Sequence, residues 1–228
     1  MSSVASSRPA TLASPTAARL AAAGPIAVAL VIVALHAIKP ELEPSWRFIS
    51  EYATGAHAWI MQLAFLVWAG SCAALAVAVR KEVRSSTGRA GVAVLFVVSF
   101  ALVVAGLFPQ DPVTTKPEDG TTSGMLHAIA SMIGIPGLPL AAMLTSASLW
   151  RTNRAWTPHR AIVMTSAHAT WISLVLMIAY LGWAVPRAGG FNSEVWAGAM
   201  NRLVVATYLV WQLVVARRLG AVTPRDGS

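Results

Sequence analysis

Residues 108–127 read FPQDPVTTKPEDGTTSGMLH. The stretch leaves one long apolar run through a proline, crosses a short acidic loop and enters a second apolar run with a histidine near its start. Crossing about 30 Å of hydrocarbon takes roughly 20 apolar residues in a helix, so two such runs joined this closely read as neighbouring membrane spans. Asp111 and His127 then sit at the mouths of adjacent spans, where an ionisable group is costly unless it has a partner.

The composition around this stretch agrees. The chain has 228 residues, 56% of them hydrophobic and 11% charged, with a mean hydropathy of +0.63. Soluble domains carry about 25% charged residues, so the class is a membrane protein. The net charge of +8 does not point to nucleic acid. Its basic residues stand at the ends of apolar runs instead of forming a patch interleaved with aromatics, which makes the charge a topological signal. The single cysteine, Cys72, excludes a disulfide or a thiolate cluster within one chain and reads as a small packing residue.

Six apolar segments are long enough to span, at 18–38, 57–79, 90–108, 124–150, 161–183 and 196–216. Short connections make consecutive helices antiparallel neighbours in one bundle. The expected organisation is a disordered tail over 1–17, rich in Ser, Ala, Thr and Pro, a six-helix domain over 18–216 and a basic tail over 217–228. The first segment resembles a signal peptide in part. Cleavage there would put Arg217, Arg218 and Arg225 outside, so it is read as a retained anchor helix.

With the N-terminus inside, the cytoplasmic side holds twelve of the 17 Lys and Arg residues: Arg8, Arg19, Arg80, Lys81, Arg84, Arg89, Arg151, Arg154, Arg160, Arg217, Arg218 and Arg225. Only Glu82 and Asp226 oppose them there; the other side holds Glu41, Glu43, Glu51, Asp111, Glu118, Asp119 and Glu194. The positive-inside rule therefore predicts an all-α protein of six transmembrane helices in the cytoplasmic membrane, both termini cytoplasmic.

Two features inside the spans carry possible chemistry. The fourth segment contains Pro136 and Pro139 near mid-membrane, which should kink it and leave carbonyls that need a hydroxyl or a water. This is read either as a packing kink or as a broken helix lining a site. The second feature is a layer of polar residues at the outer helix ends: His36, Ser50, Glu51, Asp111, His127, Asn201 and Arg202. Groups scattered in sequence but level in depth suggest one shared pocket. Three readings stay open for that layer. His36, Asp111 and His127 have identities that suit a divalent metal, although no HxxxH or HExxH spacing accompanies them and no cofactor is assigned. Alternatively, Arg202 pairs with Glu51 or Asp111 while the histidines cap carbonyls. In the third, Arg202 is an anion hook for a lipid phosphate. His168, beside Ser166, Thr170 and Ser173, reads as a hydrogen-bonded packing residue.

His36-Ala-Ile-Lys-Pro40, the run Ile49-Ser-Glu-Tyr-Ala-Thr-Gly55, Phe108-Pro-Gln-Asp-Pro112 and Gly124-Met-Leu-His127 resemble the domain-of-unknown-function 998 family of bacterial and archaeal membrane proteins. The likeness covers nearly all the chain and implies a six-helix integral membrane protein without implying a reaction. Ser123-Gly-Met-Leu-His127 with Asp111 is also similar to part of the ceramidase-like membrane hydrolases. Their HxxxH pair is missing here, since His168 has no partner four residues away.

The expected function is a polar pocket, open to the outside, that binds or moves a lipid-like or small amphipathic molecule through Ser50, His36, Asn201 and Arg202. The alternative is an intramembrane enzyme using Asp111 and His127, with Glu51 as base, in acid–base or metal-assisted chemistry. A structural subunit for an unidentified protein partner is the third.

Overall fold

A computed structural model describes residues 15–222. Six helices cross from end to end: α1 (Pro15–Ile38), α2 (Ala58–Val79), α3 (Ser86–Leu107), α4 (Thr122–Thr152), α5 (Arg160–Arg187) and α6 (Ala197–Val222). All six contain a stretch long and apolar enough to span a membrane. Lipid offers the backbone no hydrogen bonds, so each apolar run must satisfy its amides internally as helix. Each helix packs on its sequence neighbours, and α6 closes the ring against α1. Large apolar side chains face outward, among them Phe100 at 69% exposure and Met132 at 76%, as a lipid-solvated perimeter requires. Both described termini lie at one end. The opposite end carries the α1–α2, α3–α4 and α5–α6 connections and is called the acidic end below.

α1, α3, α4 and α5 begin earlier than expected, and α4, α5 and α6 end later. α1 starts at Pro15, a residue suited to a first helical turn, so the tail expected over 1–17 gives up its last three residues. Its remainder, residues 1–14, lies outside the described residues, as do 223–228. Ser85 caps α3 by accepting from the Gly88 amide at 3.1 Å, and Thr121 caps α4 by accepting from Gly124 at 3.0 Å. Arg217 and Arg218 belong to α6 and not to a tail.

Three prolines account for much of how the helices are tied. Proline has no N–H, so the carbonyl four residues before it loses its helical partner. Pro25 frees Ala21, and Ser71 of α2 donates its hydroxyl there at 3.1 Å. Pro109, just past α3, removes the donor for Ala105, and His127 Nδ1 of α4 takes that carbonyl at 3.2 Å. Pro139 frees Ile135, and the Tyr208 hydroxyl of α6 donates at 2.6 Å. Each of these three carbonyls is met by a side chain from another helix. α4 nevertheless runs without interruption through Pro136 and Pro139, so the broken-helix arrangement is not present.

A second polar thread crosses the core. The buried Gln212 of α6 accepts from Trp68 Nε1 at 3.1 Å and donates to Ser71 Oγ at 2.6 Å, joining α6 to α2 and, through Ser71, to α1. Cys72 lies buried beside it, in the packing role expected.

Tyr208→Phe is expected to lower the thermal midpoint of the detergent-solubilised protein, at a cost of about 1 kcal/mol for one interhelical bond. In a Pro139→Ala background, which restores the N–H for Ile135, the same substitution should cost far less. Thermal melts of the four variants in this cycle measure the coupling.

Candidate functional site

At the acidic end the 39–57 segment folds back into the helix ends instead of arching over them. A 3-10 turn at Ile49–Ala53 buries Ile49, Tyr52 and Ala53. Two charges hold the turn. The buried Lys39 ammonium donates to the Tyr52 carbonyl at 3.3 Å and to that of Thr54, at the negative end of the turn. Burial lowers its pKa from the usual lysine value, and Glu41 opposes the shift. The Glu51 carboxylate, 1% exposed, accepts from Arg47 Nη1 at 2.8 Å, from the Phe48 amide at 2.9 Å and from the Val113 amide at 3.1 Å. It thereby closes its own turn and staples it to the α3–α4 connection. α6 meets the same segment closely. Its Ala199 amide donates to the Ser45 carbonyl at 2.8 Å, and Asn201 Oδ1 accepts from the Ile49 amide at 3.1 Å. A Cβ on Gly198 would stand 2.5 Å from the Arg47 carbonyl, so only glycine admits this approach.

Arg202 reaches into this cap from α6. The expected alternative of an ion pair with Glu51 or Asp111 is not formed. The ion pair present among the described residues joins Arg47 and Glu51. Arg202 instead donates from Nε to His36 Nε2 at 3.0 Å, from Nη1 to the Arg47 carbonyl at 2.7 Å and the Gly198 carbonyl at 3.1 Å, and from Nη2 to the Tyr52 hydroxyl at 3.0 Å. His36 donates from Nδ1 to Ile32 at 2.6 Å, which leaves Nε2 unprotonated to accept from Arg202. Four of the five guanidinium N–H groups are thus taken by neutral acceptors, one on Nη2 stays open, and no carboxylate forms an ion pair with Arg202, the nearby Glu51 charge acting on it only through space. His36 and Arg202 stand at the acidic end of a groove of about 490 Å³ between α1 and α6, whose walls include Pro25, Ile26, Val33, Leu209 and Leu213.

Asp111 and His127 belong to a different hollow. Asp111 accepts from the Thr121 amide and hydroxyl, both at 2.8 Å, beside the start of α4. A Cβ on Gly124 would run into its carboxylate, which explains the glycine three residues before the histidine. His127, 2% exposed, donates from Nδ1 to the Phe108 carbonyl at 2.9 Å as well as to Ala105. The two carbonyls fix the tautomer and leave Nε2 with a free lone pair. Among the described residues that nitrogen has no hydrogen-bond partner. The ring lines a vestibule of about 450 Å³ that also takes in Ser50, Gln110, Asp111, Lys116 and Asn201. A smaller inner cavity of about 80 Å³ continues below it, sharing Ser50, His127, Ser131, Ile135 and Asn201.

The single polar layer expected from the sequence is therefore two sites. Ser50, Asp111, His127 and Asn201 come together around the vestibule; His36 and Arg202 border the groove; Glu51 borders neither. Ile49 and Val205 line both the groove and the inner cavity and form the partition. The histidines do cap carbonyls, as one reading held. His36, Asp111 and His127 do not gather, and no group of three His, Cys, Asp or Glu side chains able to hold a metal forms among the described residues. His168 bonds the Met164 carbonyl of its own helix at 2.7 Å but is exposed, on a different face from the buried Ser166, Thr170 and Ser173. Sequence reasoning passed over Lys39, Arg47, Tyr52 and Gln110. The Pro109–Ala105 spacing was the available signal for the His127 contact.

Glu51→Ala should destabilise the protein by about 2–3 kcal/mol, since it removes the acceptor shared by the Phe48 and Val113 amides and by the partly exposed Arg47. Urea or thermal unfolding in detergent measures it, and limited proteolysis should show the 39–57 segment released.

The model for the family described as Protein of unknown function (DUF998) matches residues 21–218, from the first turns of α1 to the last turn of α6. No curated protein and no solved structure matches the chain. The chain is a multi-pass membrane protein that belongs to the DUF998 family.

Proposed function

We propose that this protein sits in the cytoplasmic membrane with its acidic end outward and binds an anionic lipid-like amphiphile in the groove between α1 and α6. The orientation rests on the excess of Lys and Arg at the other end. One observation carries the ligand: the Arg202 guanidinium stands at the end of an apolar groove with an open N–H and no carboxylate bonded to it. A phosphate or carboxylate head supplies a directly bonded anion at that N–H, and a hydrocarbon chain fills the groove below.

The dimensions support this reading. From His36 to Pro25 on α1, and from Arg202 to Leu213 on α6, the lining covers twelve residues, about 16 Å of helix between the end residues. That is about half of the roughly 30 Å hydrocarbon thickness, the depth of one leaflet. The groove therefore has the length of an acyl chain with its head at the acidic end.

In nanodiscs, phosphatidylglycerol should raise the thermal midpoint of the full chain above its value in phosphatidylcholine with the same acyl chains. Arg202→Gln should weaken phosphatidylglycerol binding about tenfold or more, corresponding to the roughly 1.5 kcal/mol or more of a bond to a charged group. Arg202→Lys should keep the anionic preference while melting earlier, because it loses the guanidinium contacts. Ala29→Phe, which fills the groove without touching Arg202, should also reduce binding. Equal midpoints in the two lipids, or an unaltered preference in Arg202→Gln, would rule the reading out.

A further inference from the structure

The vestibule on the other side of the Ile49–Val205 partition is a site in its own right, and the groove does not account for it. Its floor holds His127, buried, tautomerically fixed and presenting an unpartnered acceptor nitrogen. Its rim holds one carboxylate, Asp111, and one ammonium, Lys116, so neither a free anion nor a free cation is favoured by the net charge. Between floor and rim the polar groups are of mixed kind. Ser50 donates to Gln110 Oε1 at 2.5 Å and Ile49 donates to Asn201 Oδ1, which leaves both amide NH2 groups as donors beside the Ser131 hydroxyl. Mixed donors and acceptors with balanced charge match hydroxyl groups, each of which gives and takes a hydrogen bond. The α5 side of the vestibule is apolar, formed by Met177 and Leu181.

We propose that the vestibule binds a neutral polyhydroxylated group, one of whose hydroxyls donates to His127 Nε2 while neighbouring hydroxyls meet Asn201 and Gln110. The volume, about 450 Å³, is in the range of small-molecule sites. The polyol comes either as a free molecule or as the sugar head of a lipid whose chain lies against Met177 and Leu181. This site is independent of Arg202, so it stands or falls separately from the groove.

The test uses the full chain in nanodiscs with glucose and octyl glucoside as probes. Histidine ring ¹⁵N resonances follow His127, and calorimetry follows affinity. The free protein should show His127 protonated on Nδ1, and saturation should shift its Nε2 resonance. His127→Asn keeps a donor for the Ala105 and Phe108 carbonyls but takes away Nε2, its own amide oxygen lying nearer the backbone where the ring Cδ2 stood. It should weaken binding tenfold or more while the protein remains folded. Should that variant not fold, Ser131→Val provides the same reading, since the Ser131 hydroxyl makes no hydrogen bond among the described residues and the valine intrudes on both cavities. Binding of both probes identifies a soluble polyol; binding of octyl glucoside alone identifies a lipid head. Binding of neither probe, or undiminished binding in these variants, overturns the proposal.

Discussion

A backbone carbonyl in hydrocarbon has no water to turn to, and proline takes away the amide that would otherwise serve it. In this bundle the carbonyls of Ala21, Ala105 and Ile135 are left in that position by Pro25, Pro109 and Pro139. Each is claimed by a side chain from another helix: Ser71, His127 and Tyr208. Helix association in lipid gains nothing from burying apolar surface, so interhelical hydrogen bonds and close packing of small residues must specify which helices meet. Proline here creates an acceptor at a chosen depth on one helix, and the partner helix carries the matching donor.

The same constraint shapes the acidic end, where charges take the place of amides. Lys39 and Glu51 tie down the two ends of one short turn, and Arg202 holds the backbone on which that turn rests. The turn in turn separates the two hollows through Ile49. One three-residue patch, Ile49 to Glu51, thus supplies a partition, a vestibule wall and an ionic staple. Residues that look like a catalytic cluster in sequence order are parcelled out by this geometry into scaffold and surface.

The spans, their number and their antiparallel order were legible because hydropathy reports directly on the solvent around each segment. Helix ends were less so. Arg89, Arg217 and Arg218 were read as outside the spans because they are charged, whereas the helix continues through them. The importance of Pro109, Asp111, Gly124 and His127 was visible in their order, and that the carbonyl freed by Pro139 would need a hydroxyl or a water was expected. That the hydroxyl would be Tyr208 was not. Nothing in one sequence fixes which face of α6 turns inward. For the same reason Arg202 was offered a carboxylate partner, when the rotation of α6 brings it to His36, Tyr52 and the Arg47 carbonyl. Depth can be read from the sequence, but azimuth around each helix axis cannot.

The vestibule is bounded by helices held in unequal ways. α3 and α4 are clamped through His127, and α4 and α6 through Tyr208 and through Trp211, whose indole N–H donates to Ser146 at 3.1 Å. α5 is bonded to α6, where Ser173 and Thr207 share a hydrogen bond, but no hydrogen bond crosses from α5 to α4 among the described residues. Along that seam Met177 and Leu181 offer only dispersion contacts, which are individually weak and have no preferred direction. The Arg160 guanidinium of α5 does lie over the Trp150 ring of α4, 4.2 Å from its centre, at the opposite end, so it is at the acidic end that the α4–α5 flank is least tied. Widening the chamber above His127 asks α5 to slide, while the clamped ring of α3, α4 and α6 keeps the imidazole where it is.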